Sequence, residues 1–300
     1  MRMDGQEESE NVEDVRGSSG GGGGGGFGFG GGSIGLGTVA IALIAGWIFG
    51  INPLTLLGAL SGGGGSPVAV QQPHVQPAPG HAPPANDPQI KFVRQVLGST
   101  EQVWGDVFRQ AGKTYEPPKL RVFRDSYPTA CGRGQAAMGP FYCPGDRIVY
   151  IDLGFFRVMS DRLGAPGQFA QAYVIGHEVG HHVQNLLGIS DKVDAMRQRS
   201  SEAQANALSV RLELQADCFA GVWATLSQRE NGWRLEPGDI DTALNAASQI
   251  GDDTLQRRSR GEVVPESFTH GSSAQRVAWF KRGVQSGDVN QCNTFESRQL

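Results

Sequence analysis

The stretch Val174-Ile-Gly-His177-Glu178-Val-Gly-His181-His182-Val-Gln sets a His-Glu-x-x-His pattern inside an apolar, helix-forming run. Residues four apart on an α-helix share a face, so His177 and His181 can aim their imidazoles at one ion. Glu178 stands one residue on from His177, within reach of a water molecule beside that ion without ligating it. Neutral imidazoles leave a bound zinc its positive charge, which brings the pKa of adjoining water to roughly 7, and the carboxylate takes the proton as water attacks a carbonyl. The plainer reading is a buried helix whose histidines satisfy backbone carbonyls. Burying that many polar groups with no ligand to hold is costly, which favours the metal. His182 falls on another face and is not expected to ligate.

Catalytic zinc usually takes three protein ligands and keeps one position open, so a third must come from elsewhere. Arg211-Leu-Glu213-Leu-Gln-Ala-Asp217-Cys-Phe reads as a second amphipathic helix with Glu213 and Asp217 four apart on one face. Leu212, Leu214, Ala216 and Phe219 surround that face with apolar side chains, and two partly buried carboxylates repel each other unless a cation lies between them. Glu213 is the expected third ligand, and Asp217 the acceptor that orients one histidine from behind. The alternative is a solvated acidic face.

These residues carry a family resemblance. His177-Glu178-x-x-His181 followed by Glu213-x-x-Ala216-Asp217 resembles the gluzincins, and in particular membrane zinc peptidases related to HtpX and the CAAX prenyl endopeptidases. The fuller set is more distinctive: His177-Glu-Val-Gly-His-His-Val-Gln-Asn185, Glu213-Leu-Gln-Ala-Asp-Cys-Phe-Ala-Gly221 and Thr269-His-Gly-Ser-Ser-Ala-Gln-Arg276. Together with the glycine-rich N-terminal run, one hydrophobic segment and the stretch Cys131 to Asp152, they are similar to a bacterial family predicted to be neutral zinc metallopeptidases. The resemblance spans nearly the whole chain. It implies one Zn2+ held by His177, His181 and Glu213, with Glu178 as the base.

Peptide hydrolysis also needs a donor for the oxyanion, and His270 is the candidate. Its segment resembles the Thr-His-Pro of HtpX-like peptidases, with Gly271 in place of proline. A protonated imidazole or a guanidinium beside the developing charge would lower the barrier by about 3 kcal/mol. In the alternative, His270 and Arg276 tie the helix from Ala274 to Lys281 to the core or to Asp217, with Ser272 or Ser273 as its cap. Tyr142 and Tyr150 are lesser candidates.

The rest of the chain must position these groups. With 300 residues there is room for one domain of about 200 residues plus appendages. Residues 1–33, acidic and then glycine-rich, read as a disordered tail. Residues 34–60 carry no charge and read as one transmembrane helix, the long polar leader arguing against a signal peptide. Residues 61–88, rich in glycine and then proline, read as a linker. Residues 89–300 form the metallopeptidase domain, an α+β fold, zincin-like and mostly helical, with a small antiparallel sheet. A helix is expected over Ile90 to Ala111, interrupted at Gly98-Ser-Thr100. Strands are expected at Leu120 to Phe123, Ala136 to Tyr142 and Arg147 to Asp152, the last two paired across Cys143-Pro-Gly-Asp146. Further helices follow at Gln168 to Leu187, Asp191 to Leu226, Pro237 to Ile250 and Ser273 to Ser286. Ala136 to Tyr142 is the expected edge along which an extended substrate adds its backbone, and the acidic start Gly238-Asp-Ile-Asp241 reads as capping.

All four cysteines lie in the catalytic half, an even number that permits two disulfides in an oxidising compartment. Cys131 and Cys143 are near in sequence, which leaves Cys218 with Cys292; four cysteines allow three pairings. Arg2 and Arg16 precede the apolar segment and no basic residue follows it until Lys91, which favours a cytoplasmic N-terminus and an extracytoplasmic catalytic domain. The net charge of −4, without a basic stripe or a phosphate-cradling loop, excludes nucleic acid as a partner. The sequence thus describes a membrane-anchored zinc endopeptidase acting on protein or peptide. A non-catalytic zinc-containing envelope module and a zinc amidase for a non-protein amide are the alternatives. Oligomeric state is not encoded in any legible pattern of residues.

Overall fold

Asp87 opens the first helix, α1 (Pro88–Gln110), by accepting the Gln89 amide at 2.9 Å with Pro88 following in the first turn. The computed structural model describes residues 1–3, 5–17, 86–135, 139–230, 233–298 and 300. Residues 18–33 of the tail, the apolar segment 34–60 and residues 61–85 of the linker lie outside the described residues. Among the described residues no helix is long and apolar enough to cross a membrane.

The helix runs unbroken through Gly98, where the sequence suggested an interruption. Gly98 instead makes room for another part of the chain, since a Cβ there would stand 2.6 Å from the Glu7 carbonyl oxygen and 3.2 Å from the Ser9 nitrogen. The N-terminal segment presses against this spot, so residues 1–3 and 5–17 are an ordered part of the domain and the disordered-tail reading is corrected for them. Strand β1 (Val12–Asp14) buries Val12 and pairs in parallel with β2 (Lys119–Phe123), Val12 opposite Leu120 and Glu13 opposite Arg121. Glu13 also forms ion pairs with Lys119 and Arg121. Acidic composition across the tail hid a strand of only three residues, in which Glu13 meets basic partners on the neighbouring strand and Asp14 pairs with Arg16.

Strand β6 (Ile148–Asp152) pairs in parallel with β2, and β5 (Phe141–Cys143) pairs antiparallel with β6, giving the order β1-β2-β6-β5. The sheet is therefore mixed, where the sequence suggested an antiparallel one, because β1 and the long connection from β2 to β6 bring parallel strands together. Arg147, in the left-handed region at φ 59°, closes the turn between β5 and β6 by donating its amide to the Cys143 carbonyl at 2.9 Å. Strand β3 (Ser126–Thr129) and β4 (Gly132–Gln135) form a separate hairpin. Of the edge expected at Ala136 to Tyr142, residues 141 and 142 are strand, and 136–138 lie outside the described residues.

Seven further helices complete the described fold: α2 (Gly154–Asp161), α3 (Gln168–Leu186), α4 (Ile189–Arg197), α5 (Glu202–Glu230), α6 (Asp239–Gln249), α7 (Asp252–Arg260) and α8 (Ser273–Ser286). One helix expected from Asp191 to Leu226 is two, because the Ser201 amide donates to the Gln204 side chain at 3.1 Å while the Ser201 hydroxyl accepts from the Gln204 amide, starting α5 afresh. A capping box of Ser272 with Gln275 starts α8. Asp239 at the head of α6 instead binds the Met1 amino group at 2.9 Å and the Glu236 amide at 2.7 Å. The core joins α3, α5 and α8 through Phe169, Trp223 and Phe280, all fully buried.

Helices α5 and α8 touch backbone to backbone. A Cβ on Gly283 would collide with the Cys218 carbonyl, and one on Gly221 with the Phe280 carbonyl. Helix formers are otherwise preferred to glycine by about 1 kcal/mol, so contact outweighs propensity here. Gly283→Ala is expected to destabilise the fold by about 3 kcal/mol or more, as overpacking against rigid backbone does, read as a fall in thermal midpoint. An unchanged midpoint would show that the two helices can part freely.

Candidate metal centre

Helix α3 is buried along nearly all its length, which its apolar positions Phe169, Val174, Ile175, Val179 and Val183 dictate. His177 and His181 emerge on the face towards α5, and Glu213 on α5 meets them. His177 Nε2 lies 3.2 Å from His181 Nε2 and 3.2 Å from a Glu213 oxygen, and His181 Nε2 lies 3.4 Å from the other Glu213 oxygen. These three side chains form a cluster whose ligand atoms fall within 4.8 Å of one another.

Hydrogen bonding fixes the imidazole tautomers. His177 Nδ1 donates to Asp217 at 2.8 Å, and His181 Nδ1 donates to the Gln184 carbonyl oxygen at 2.9 Å. Both Nε2 atoms therefore turn lone pairs inward, where they meet a carboxylate. Three such groups converging repel unless a cation, a proton or a metal ion, joins them. Zinc bonds of about 2.0–2.2 Å in a tetrahedron would set ligand atoms about 3.3 Å apart, close to the spacings present, so the donor set fits zinc. Electrostatics favours positive charge at the same place. Burial opposes it, yet the Asp217 carboxylate lifts the His177 pKa to about 10, so Nε2 carries a proton wherever no metal ion displaces it. Burial likewise raises Glu213, but the positive fields of His181 and His270 hold its carboxylate well below the usual range.

Asp217 is fully buried behind His177. Arg276 on α8 grips it with two bonds, Nε to Oδ2 at 2.8 Å and Nη2 to Oδ1 at 2.9 Å, and the Tyr173 hydroxyl donates to it at 2.6 Å. Burial pushes the carboxyl up, but Arg276 and His177 bring it down to about 2. Arg276 is thus engaged in holding Asp217, not pointed at a developing oxyanion. Gly180 sits where a Cβ would come within 3.0 Å of the Ala216 carbonyl, so a small residue between the histidines lets α3 and α5 close on the ligands.

Glu178 is buried next to His177, and burial raises its pKa against the lowering influence of the two histidines. The His270 side chain is 40% exposed, with Nδ1 3.3 Å from Asp252 and 3.0 Å from the Thr269 hydroxyl. Burial opposes its protonation, but Asp252 and Glu213 raise the pKa to about 9, so its imidazole is cationic at neutral pH.

Three positioning residues escaped the reading of the sequence. Tyr173 and Gln184 lie on the same helix as the two histidines, and nothing in their own spacing marked them. Asp252 at the start of α7 accepts the backbone amides of Thr269, His270 and Gly271 at 2.7, 2.6 and 3.0 Å, shaping the loop that carries His270. The only sequence signal for it was the acidic pair Asp252-Asp253 after Gly251. Tyr142 and Tyr150 have separate roles, since Tyr150 donates to Asp146 at 2.8 Å within the sheet while Tyr142 on β5 clips the edge strand to α3.

In that clip His182 Nε2 donates to the Glu116 carbonyl at 2.7 Å, and its Nδ1 accepts from the Tyr142 hydroxyl at 3.0 Å, which also accepts from Asn185 at 2.9 Å. The imidazole is neutral, and burial lowers its pKa to about 4 from 6.5. Unfolded His182 binds a proton below about pH 6.5 while the folded one does not, so its contribution is complete above 6.5 and is lost as pH falls towards 4. The span corresponds to about 3 kcal/mol. His182→Gln is expected to flatten the fall of the urea midpoint between pH 6.5 and 4; an unaltered slope would assign that fall elsewhere.

Both disulfides are present, Cys131–Cys143 and Cys218–Cys292, and no cysteine is free. The first ties the β3-β4 hairpin region to β5. The second joins α5, one residue beyond Asp217, to the C-terminal turn, where Gln215 also donates to the Cys292 carbonyl at 3.0 Å.

Residues 1–295 match a family described as "putative neutral zinc metallopeptidase". The chain is 52% identical over 297 residues to "Uncharacterized protein YpfJ" of Escherichia coli strain K12, covering 98% of this chain and 99% of that protein. It is 42% identical over 219 residues to "Uncharacterized protein Rv2575" of Mycobacterium tuberculosis strain H37Rv, covering 70% of this chain and 73% of that protein. No solved structure matches. With a family match running from the first residue to 295 and a relative of equal extent sharing half its residues, the chain belongs to the neutral zinc metallopeptidase family.

Proposed function

We propose that the protein is a zinc-dependent endopeptidase in which His177, His181 and Glu213 hold one ion and Glu178 moves the proton. The observation that carries this reading is the triangle of three acceptors 3.2–3.4 Å apart, with both Nδ1 protons already committed to Asp217 and Gln184. Zinc, when bound, supplies a Lewis acid that polarises a scissile carbonyl and acidifies water. Glu178 accepts the proton of the attacking water at its carboxylate and returns it to the departing amine. Its raised pKa suits both transfers, since a base nearer neutrality is also a usable acid. His270, cationic and held by Asp252, stands where it can donate to the negative oxygen that forms. Strand β5 closes one end of the sheet and is clipped to α3, which favours an extended peptide as substrate, added along that edge.

The test is cleavage of unstructured casein by the full-length protein together with its metal content. One zinc per chain, loss of cleavage on chelation and recovery on adding zinc are expected. A protein that carries one zinc and cuts neither casein nor unstructured peptides would overturn the peptidase reading while leaving the metal centre standing.

A further inference from the structure

The two ends of the stretch 18–85 meet at one point on the domain. Arg16 donates one nitrogen to Asp14 at 2.7 Å and to Asp87 at 2.8 Å, and Asp87 is the cap of α1. The residues before this clasp are built into the fold. The Leu120 amide donates to the Asn11 carbonyl and the Val15 amide to the Val122 carbonyl, both at 2.9 Å, flanking the β1-β2 pairing. Glu101 on α1 accepts from the Ser9 hydroxyl at 2.7 Å and from Asn11 at 2.8 Å. Gly98 leaves room for the Glu7 and Ser9 backbone. A parallel strand at a sheet edge, a side-chain clasp and a helix notched to receive the segment are three separate fits to one binding mode.

A chain that leaves a folded body and rejoins it at the same place crosses a bilayer an even number of times. One crossing takes about 20 apolar residues and two take about 40, while the apolar run within the uncharged stretch covers only residues 34–60. It is too short for two crossings, and one is incompatible with β1 lying in the sheet. We propose that residues 1–17 and 86–300 occupy the same compartment. This replaces the single-pass topology expected from the sequence, and it does not depend on the peptidase reading.

The experiment uses the full chain in intact cells, with Glu10→Cys and, separately, Lys281→Cys, both at exposed positions, treated with a membrane-impermeant maleimide before and after lysis. The native cysteines are all in disulfides and stay silent. The two positions are expected to behave alike, both reactive in intact cells or both only after lysis. Reaction of one before lysis and the other only afterwards would overturn the proposal. As a second reading, Glu13→Cys with Arg121→Cys, opposite each other in the register, should form a disulfide in cells that keeps residues 1–17 attached after a protease site placed at residues 61–85 is cut. Release of that fragment without reductant counts against it.

Discussion

Glu178→Gln is expected to lower peptide cleavage by about 10²- to 10⁴-fold while the protein keeps one zinc, the range for losing a general base. The substitution preserves shape and removes only the proton acceptor. Glu178 is not among the three converging side chains, so metal content should not change. The discriminating measurement is turnover at equal zinc occupancy, with KM recorded separately. Unaltered turnover would remove Glu178 from the chemistry, and loss of zinc would make it a structural part of the centre.

Asp217→Asn should act through a different path. Asparagine can still accept from His177 Nδ1, but the charge that answers Arg276 is gone, and both residues are almost fully buried. Breaking one side of a buried pair typically costs about 3–5 kcal/mol, and losing the partner behind a ligating histidine typically costs about 10- to 100-fold in metal affinity. Arg276→Met added to Asp217→Asn removes the stranded charge, so the double variant should regain much of the stability lost by the single one. Zinc affinity should stay low in both, because the carboxylate behind His177 is still missing. Recovery of both properties together would mean that Asp217 serves the fold and has no separate influence on the metal.

The centre was legible because helical spacing is a local property. His177 and His181 four apart, and Glu213 and Asp217 four apart, already fix two faces, and carboxylates among leucines have few other reasons to be there. What could not be read was anything that depends on two distant segments meeting. Asp252 gathers three amides of a loop some seventeen residues away, and nothing in its own neighbourhood marks it. Arg276 could be placed either at the oxyanion or at Asp217 until the path of α8 was known. Gly98 looked like a helix break because a glycine's reason for existing, here the Glu7 backbone, lies in another part of the chain. Strand β1 failed for a related reason: three residues, two of them acidic, carry too little pattern to outweigh the composition around them.

The order of synthesis gives the clasp between Asp217 and Arg276 a further consequence. Helix α3, with its His-Glu-x-x-His face, leaves the ribosome about a hundred residues before α8 can supply the guanidinium, and the bond from Cys218 must wait for Cys292. Until then Asp217 has no permanent counter-charge and α5 has nothing to lie against on its Gly221 side. A growing chain therefore carries its His-Glu-x-x-His helix for some time before the guanidinium that steadies Asp217 behind His177 has been made.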